Sequence, residues 1–229
     1  MKVSWLPRST IAQSTSNVLE GYEILSGHPV HPPIPVEEII ERYLGLSLGF
    51  EDLETRLGTE DILGATFVKS KRISINEKLL QNKNEGRMIF TCAHEAGHWV
   101  LHRHYVEQAQ RSSQCAEAIV CRTGDSRLPI EWQADYFASC LIMPEKDVRN
   151  SFSQVWAGKE LVLDNVRSCL GGTAVCVDPC VENWHFIADA VREAGGFNNV
   201  SKEAMIIRLR ELSLVLNKTG ASMGWRKTG

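Results

Sequence analysis

Between Thr91 and His102 the chain reads TCAHEAGHWVLH, and His94 and His98 stand four residues apart. On a helix that spacing puts both side chains on one face, where each imidazole can direct a nitrogen to a common point ~2.0 to 2.1 Å away, the bond length of zinc. Glu95 lies one residue step around the helix. Its carboxylate is placed to hold a water beside the metal without taking a ligand position, the general-base arrangement of H-E-x-x-H hydrolases. Such a centre needs a third protein ligand. His102 continues the series at i+8, but eight residues advance a helix by ~12 Å, too far for its ring to meet that of His94 on one ion. His104 is at the wrong step for the longer metzincin histidine pattern. Both are read as packing residues or as partners of the ligands. Glu131 and Asp135, one turn apart on a second helix, supply what is missing. Glu131 is the expected third ligand, with Asp135 the alternative, and otherwise Asp135 accepts a hydrogen bond from a ligand histidine and fixes its tautomer. Zinc is the expected metal, with manganese a substitute in vitro.

These residues need elements to hold them. Met88, Ile89, Cys92, Ala93, Ala96, Val100 and Leu101 repeat at helical spacing and predict a largely buried helix around the histidines. Ile130, Ala134, Phe137, Ala138 and Leu141 predict a second, ended by Pro144. Before them, Gly64 to Val68 and Arg72 to Asn76 alternate apolar and polar residues about a tight turn, a β-hairpin with a free edge for a substrate strand. LSLGF, from Leu46, is a candidate short strand. The proline-rich HPVHPPIP places the first convincing helix near Pro35, at VEEIIERYLG. Residues 107 to 129 read as a polar surface loop, and 151 to 180 are ambiguous. A helix over VENWHFIADAVREA and a last one over KEAMIIRLRELSLV, capped by Ser201, follow. The expectation is an α+β zincin-like domain with a small antiparallel sheet at residues 1 to 150, then a small helical domain at 151 to 229.

The chain has 229 residues, 43% hydrophobic and 23% charged, with no apolar run approaching a membrane span. The N-terminal stretch lacks a secretory pattern, so the cytoplasm is the expected compartment. Seven cysteines, an odd number, then argue for reduced thiols. The net charge of −3 does not call for a polyanionic partner, yet it is uneven. From Phe197 to Gly229 six Lys or Arg face two acids, so this segment is +4 and the remainder −7.

RMIFTCAHEAGHWVLH followed by PIEWQADYFASCLIMP resembles the ImmA/IrrE family of zinc metallopeptidases, whose pattern is H-E-x-x-H, then E-x-x-A-x-x-F-A, then a Leu-Met-Pro-like end. The match lies in His94, Glu95 and His98, in Glu131, Ala134, Phe137 and Ala138, and in Ile142, Met143 and Pro144. It spans roughly residues 30 to 145, and more weakly GGFNNVSKEAMIIRLREL, which is similar to the family's helix-turn-helix-like tail. The resemblance implies a cytoplasmic enzyme that cuts a paired helix-turn-helix repressor and so switches on phage, mobile-element or stress genes. It implies His94, His98 and Glu131 as zinc ligands and Glu95 as base. The competing reading is a non-catalytic DNA-binding or repressor-sequestering regulator with a structural or vestigial zinc.

Other residues carry narrower expectations. Cys121, read as part of a loop, is a candidate latency ligand: a thiolate that closes the metal against water. Cys169, Cys176, Cys180 and His185 fit no common zinc-ribbon spacing. Lys202, Arg208 and Arg210 offer a DNA contact or a solvated helix face. Tyr136 is a candidate to polarise a scissile carbonyl.

Overall fold

The computed structural model describes residues 3–81, 85–111, 118–122, 128–157, 160–163 and 181–217. The chain divides into two compact units, Met1–Pro144 and Glu145–Gly229. Among the described residues no helix is long and apolar enough to cross a membrane.

The first unit opens with a helix, α1 (Arg8–Ser26), upstream of the proline-rich stretch where the sequence places the first one. Its buried stripe is Ile11, Thr15, Val18 and Tyr22, and one member is a threonine. No side chain caps its start, while Gly27 ends it in the left-handed region at φ 77°. The stripe packs on α7 (Pro129–Ile142), which starts with proline in its first turn. Helix α2 (Val36–Glu38) continues as a π turn through Ile39–Tyr43 and buries Val36, Ile39 and Ile40.

Four strands follow: β1 (Ser47–Glu51), β2 (Ile62–Phe67), β3 (Arg72–Asn76) and β4 (Ala118–Arg122). The expected hairpin forms, with Gly64 opposite Ile75 and Phe67 opposite Arg72. Its edges are not free, however. The order is β1-β3-β2-β4, so β1 covers one side and β4 the other. β1 runs parallel to β3, which makes the sheet mixed rather than antiparallel. The parallel partner is possible because the crossover carries a short helix, α3 (Leu53–Leu57), capped by the Asp52 carboxylate on the Thr55 amide at 3.1 Å.

The segment expected to be a loop at 107 to 129 instead contains the end of α6 (Arg103–Arg111) and all of β4. The pairing of β2 with β4 shifts register between Ile62 and Gly64, a β-bulge that sets Gly64 opposite Cys121. A short helix, α4 (Lys78–Gln81), leads to α5 (Glu85–Gly97). Helix α5 packs against α7 and against β2 and β3. Gly97 allows the closest approach: a Cβ there would lie 3.1 Å from Phe137 Cδ1 and 3.3 Å from Ala134 Cα. From His98 to His102 the helix widens into a π turn before α6 begins.

The second unit holds α8 (Glu145–Val155), β5 (Leu161–Leu163), α9 (Val181–Gly195), α10 (Lys202–Glu211) and β6 (Val215–Asn217). Helices α8 and α10 pack on α9 over Val148, Phe152, Trp184 and Met205. Ser201 caps α10 through the Ala204 amide at 3.1 Å. This helix stops at Glu211, short of the expected end, because Val215–Asn217 pairs in parallel with β5. The unit is therefore not purely helical. Cys169, Cys176 and Cys180 lie outside the described residues.

Candidate metal centre

Helix α5 presents His94 and Glu95 inward and the π turn after it presents His98, at 3%, 0% and 0% exposure, and α7 brings Glu131 to them at 5%. His94 Nε2 lies 2.9 Å from His98 Nε2 and 3.1 Å from Glu131 Oε2, and His98 Nε2 lies 3.5 Å from Glu131 Oε1. These separations bracket the ~3.3 Å edge of a tetrahedron with bonds of ~2.05 Å, the geometry of zinc held by N and O ligands. Two imidazole nitrogens facing each other at 2.9 Å share at most one proton, so a cation at their focus answers both lone pairs and the carboxylate together. The donor set therefore suits a divalent ion such as zinc, and these three residues could hold one.

The electrostatics agree. Burial alone would raise the Glu131 carboxyl, but hydrogen bonds and charge from His94 and His98 outweigh it and hold the group at about 2. Burial likewise opposes a proton on His94, yet contacts with Asp135, Cys121 and Glu131 raise it well above the usual value. His98 goes the other way: burial, reinforced by the charge of His94, lowers it to about 4 despite its bond to Glu131. One shared site thus keeps its proton on His94.

Asp135 Oδ1 lies 2.9 Å from His94 Nδ1. A carboxylate there leaves Nε2 of His94 as the nitrogen directed at the focus. Glu95 is oriented from the sheet. Thr66 on β2 donates its hydroxyl to Glu95 Oε2 at 2.6 Å, and a Cβ on Gly64 would sit 2.6 Å from Oε1. That Oε1 is buried without a hydrogen-bond partner among the described residues. Burial lifts the carboxyl to about 7, against the charge of His94 and the bond from Thr66. A carboxyl near neutrality with one open oxygen is equipped to exchange a proton with a small molecule beside the focus. Thr66 and Gly64 carry no chemical signature in the sequence. Only the pairing of β2 with α5 reveals them.

Cys121 lies on strand β4, not in a loop, and is buried. Its Sγ, a nitrogen of His94 and an oxygen of Glu95 fall within 4.8 Å of one another, so the thiol groups with His94 and Glu95. Burial raises it to about 11, partly offset by its bond to His94. Tyr136 is drawn into a stack instead: its ring lies 5.7 Å from Trp132, which lies 4.5 Å from Trp5, and the Arg8 guanidinium sits 5.3 Å from the Tyr136 ring. His102 is fully buried and bonds His98 and Gln133, each at 3.1 Å, whereas the His104 ring lies tilted against that of Tyr105, centroids 4.0 Å apart. In the second unit Lys202 binds Asp189 at 2.5 Å, and Arg208 is 3% exposed and pairs with Glu211 at 3.4 Å. A DNA contact through Arg208 is thereby overturned, since a buried, paired guanidinium offers nothing to a phosphate.

Residues 46–168, more than half of the chain, match the family model described as the IrrE N-terminal-like domain, a peptidase family. No curated protein matches the chain.

Proposed function

Since the chain belongs to the IrrE N-terminal-like peptidase family, we propose that it is a zinc-dependent, site-specific endopeptidase acting in the cytoplasm on a protein, namely a helix-turn-helix repressor whose genes it derepresses. One observation carries the catalytic part: ligand atoms of three side chains converge at 2.9 to 3.5 Å beside a buried Glu95 oxygen that has no hydrogen-bond partner among the described residues. His94, His98 and Glu131 hold the metal. Bound there, zinc supplies Lewis acidity that polarises a peptide carbonyl and makes water easier to deprotonate. Glu95 Oε1 takes the proton of the attacking water, and the same carboxyl returns it to the leaving amine. Thr66 keeps Oε2 occupied, so that Oε1 faces the reaction. Asp135 holds the ring of His94 in the ligating tautomer.

Substrate backbone adds as a strand along the outer side of β4, which is unpaired among the described residues and whose partner β2 touches Glu95. Cleavage rather than sequestration is favoured because Glu95 has no structural task that needs its open oxygen. A closed structural zinc would call for a fourth protein ligand instead.

The test is cleavage of the helix-turn-helix protein encoded nearest this gene, with zinc or manganese, against Glu95→Gln. Discrete fragments from the native chain alone, with a rate loss of about 10²- to 10⁴-fold in the variant and metal content unchanged, are expected. Equal fragmentation by both proteins would remove Glu95 from the base position. An intact repressor in the presence of metal-loaded enzyme would reject it as the substrate.

A further inference from the structure

The hydrogen bonds behind His98 can run in only one direction. A histidine that ligates through Nε2 carries its proton on Nδ1. On the reading of His98 as such a ligand, Nδ1–H donates to Nδ1 of His102 at 3.1 Å. His102 must then hold its own proton on Nε2, which donates to Gln133 Oε1 at 3.1 Å. The Gln133 amide nitrogen, in turn, donates to the backbone carbonyl of Ser4 at 3.0 Å. His98, His102 and Gln133 are all 0% exposed, so the exchange of a partner for water is closed to them. Reversing the series would turn Gln133 Oε1 toward the Ser4 carbonyl, two acceptors face to face. Because a carbonyl only accepts, its position at the end of the series fixes the polarity of every bond before it.

We propose that the docked N-terminal segment, acting through Gln133 and the positioning residue His102, sets the metal-binding tautomer of His98, so that metal loading and docking of this segment are coupled. The segment is held at two further points, by the Ser4 amide donating to Tyr105 Oη at 2.9 Å and by the Trp5 ring stacked on Trp132 at 4.5 Å. His94 gets its tautomer from a carboxylate on α7, whereas His98 gets it from the segment at Ser4, 129 residues before Gln133 in sequence. Coupling of this kind is reciprocal: whatever factor docking adds to metal affinity, metal adds to docking.

The experiment combines zinc affinity, by competition with a chromophoric chelator, with amide exchange over residues 3 to 6 in zinc-free and zinc-loaded full-length protein. The native chain is expected to slow exchange there by about tenfold on zinc binding. Gln133→Leu, close in shape, and His102→Phe are expected to lose that response and about 10- to 100-fold in zinc affinity. His102→Gln keeps an acceptor toward His98 and a donor toward Gln133, so it should restore both readouts. If His102 only filled space, phenylalanine would preserve both readouts at least as well as glutamine, and that result would overturn the inference. If His102→Phe fails to fold, by circular dichroism, Gln133→Leu decides alone. A native protein that binds zinc without any change at residues 3 to 6, or a response that survives Gln133→Leu, overturns the inference and leaves the peptidase reading standing. A native protein that binds no divalent metal overturns both.

Discussion

Near neutral pH the metal-free centre holds its proton on His94, whose value is raised, and not on His98, lowered to about 4. A metal must displace that proton. Zinc uptake is therefore expected to release about one proton per ion, with affinity falling roughly tenfold per unit of pH below the His94 value. Titration calorimetry in two buffers of different ionisation enthalpy reads this directly, and buffer-independent heats would contradict it. The same groups set the acid stability of the metal-free protein. His98 and His102, both near 4, take protons first in the unfolded chain, so their contribution is lost as pH falls from about 6.5 to about 4. Glu95, at about 7, opposes one of them because the folded state binds its proton earlier. Glu131, at about 2, adds a further loss below its usual range. The sum is a fall in stability on the order of 1 kcal/mol per pH unit below 6.5, steeper only between about 4.5 and about 4, where both histidines and Glu131 contribute together. A melting temperature that rises with acid would count against it. The types and spacing of His94, Glu95, His98, Glu131 and Asp135 were readable because helical geometry fixes i to i+4 neighbours. His102 was readable only as a packing residue or a partner of the ligands; that its ring meets His98 depends on the π turn at His98–His102, which a straight helix does not foresee.

At the level of elements the Glu95 carboxyl depends on the sheet as much as on its own helix. Gly64, at the bulge of β2, leaves room for Glu95 where a Cβ would stand 2.6 Å from Oε1 and 2.9 Å from Cγ. Gly64→Ala is expected to displace the Glu95 side chain, reduce cleavage by at least about a hundredfold and cost about 1 to 3 kcal/mol, with zinc stoichiometry intact. Unaltered turnover would show that the carboxyl has another place to sit. The hairpin and the two site helices followed from periodicity over adjacent residues. β4 did not, because a five-residue strand between polar segments is decided by its distant partner β2. Helix α1 was missed for a related reason: its stripe is diluted by Thr15, and its start lacks a capping side chain. The parallel run of β1 beside β3 is likewise a long-range choice that local alternation does not encode.

On the scale of the whole molecule, among the described residues every candidate ligand and every partner behind it falls within Met1–Pro144. A chain ended after Pro144 is expected to bind one divalent ion with affinity within about tenfold of the full chain, as measured by the same chelator competition. Loss of binding would assign the second unit a part in forming the centre. The matched region, which ends at residue 168, already crosses that boundary. Composition could suggest a second unit but not its parallel strand pair, β5 with β6, which joins segments on either side of α9 and α10.

The distance along the chain between the parts of the centre also sets a time. Glu131 follows His94 by 37 residues, and Gln133 follows Ser4 by 129. At roughly 5 to 20 residues per second, a growing chain carries its two histidines for about 2 to 7 seconds before the carboxylate that completes the set is even synthesised. Throughout that interval the nascent peptide has both histidines but not the third side chain of the set, so the centre can assemble only once the chain has grown past Glu131.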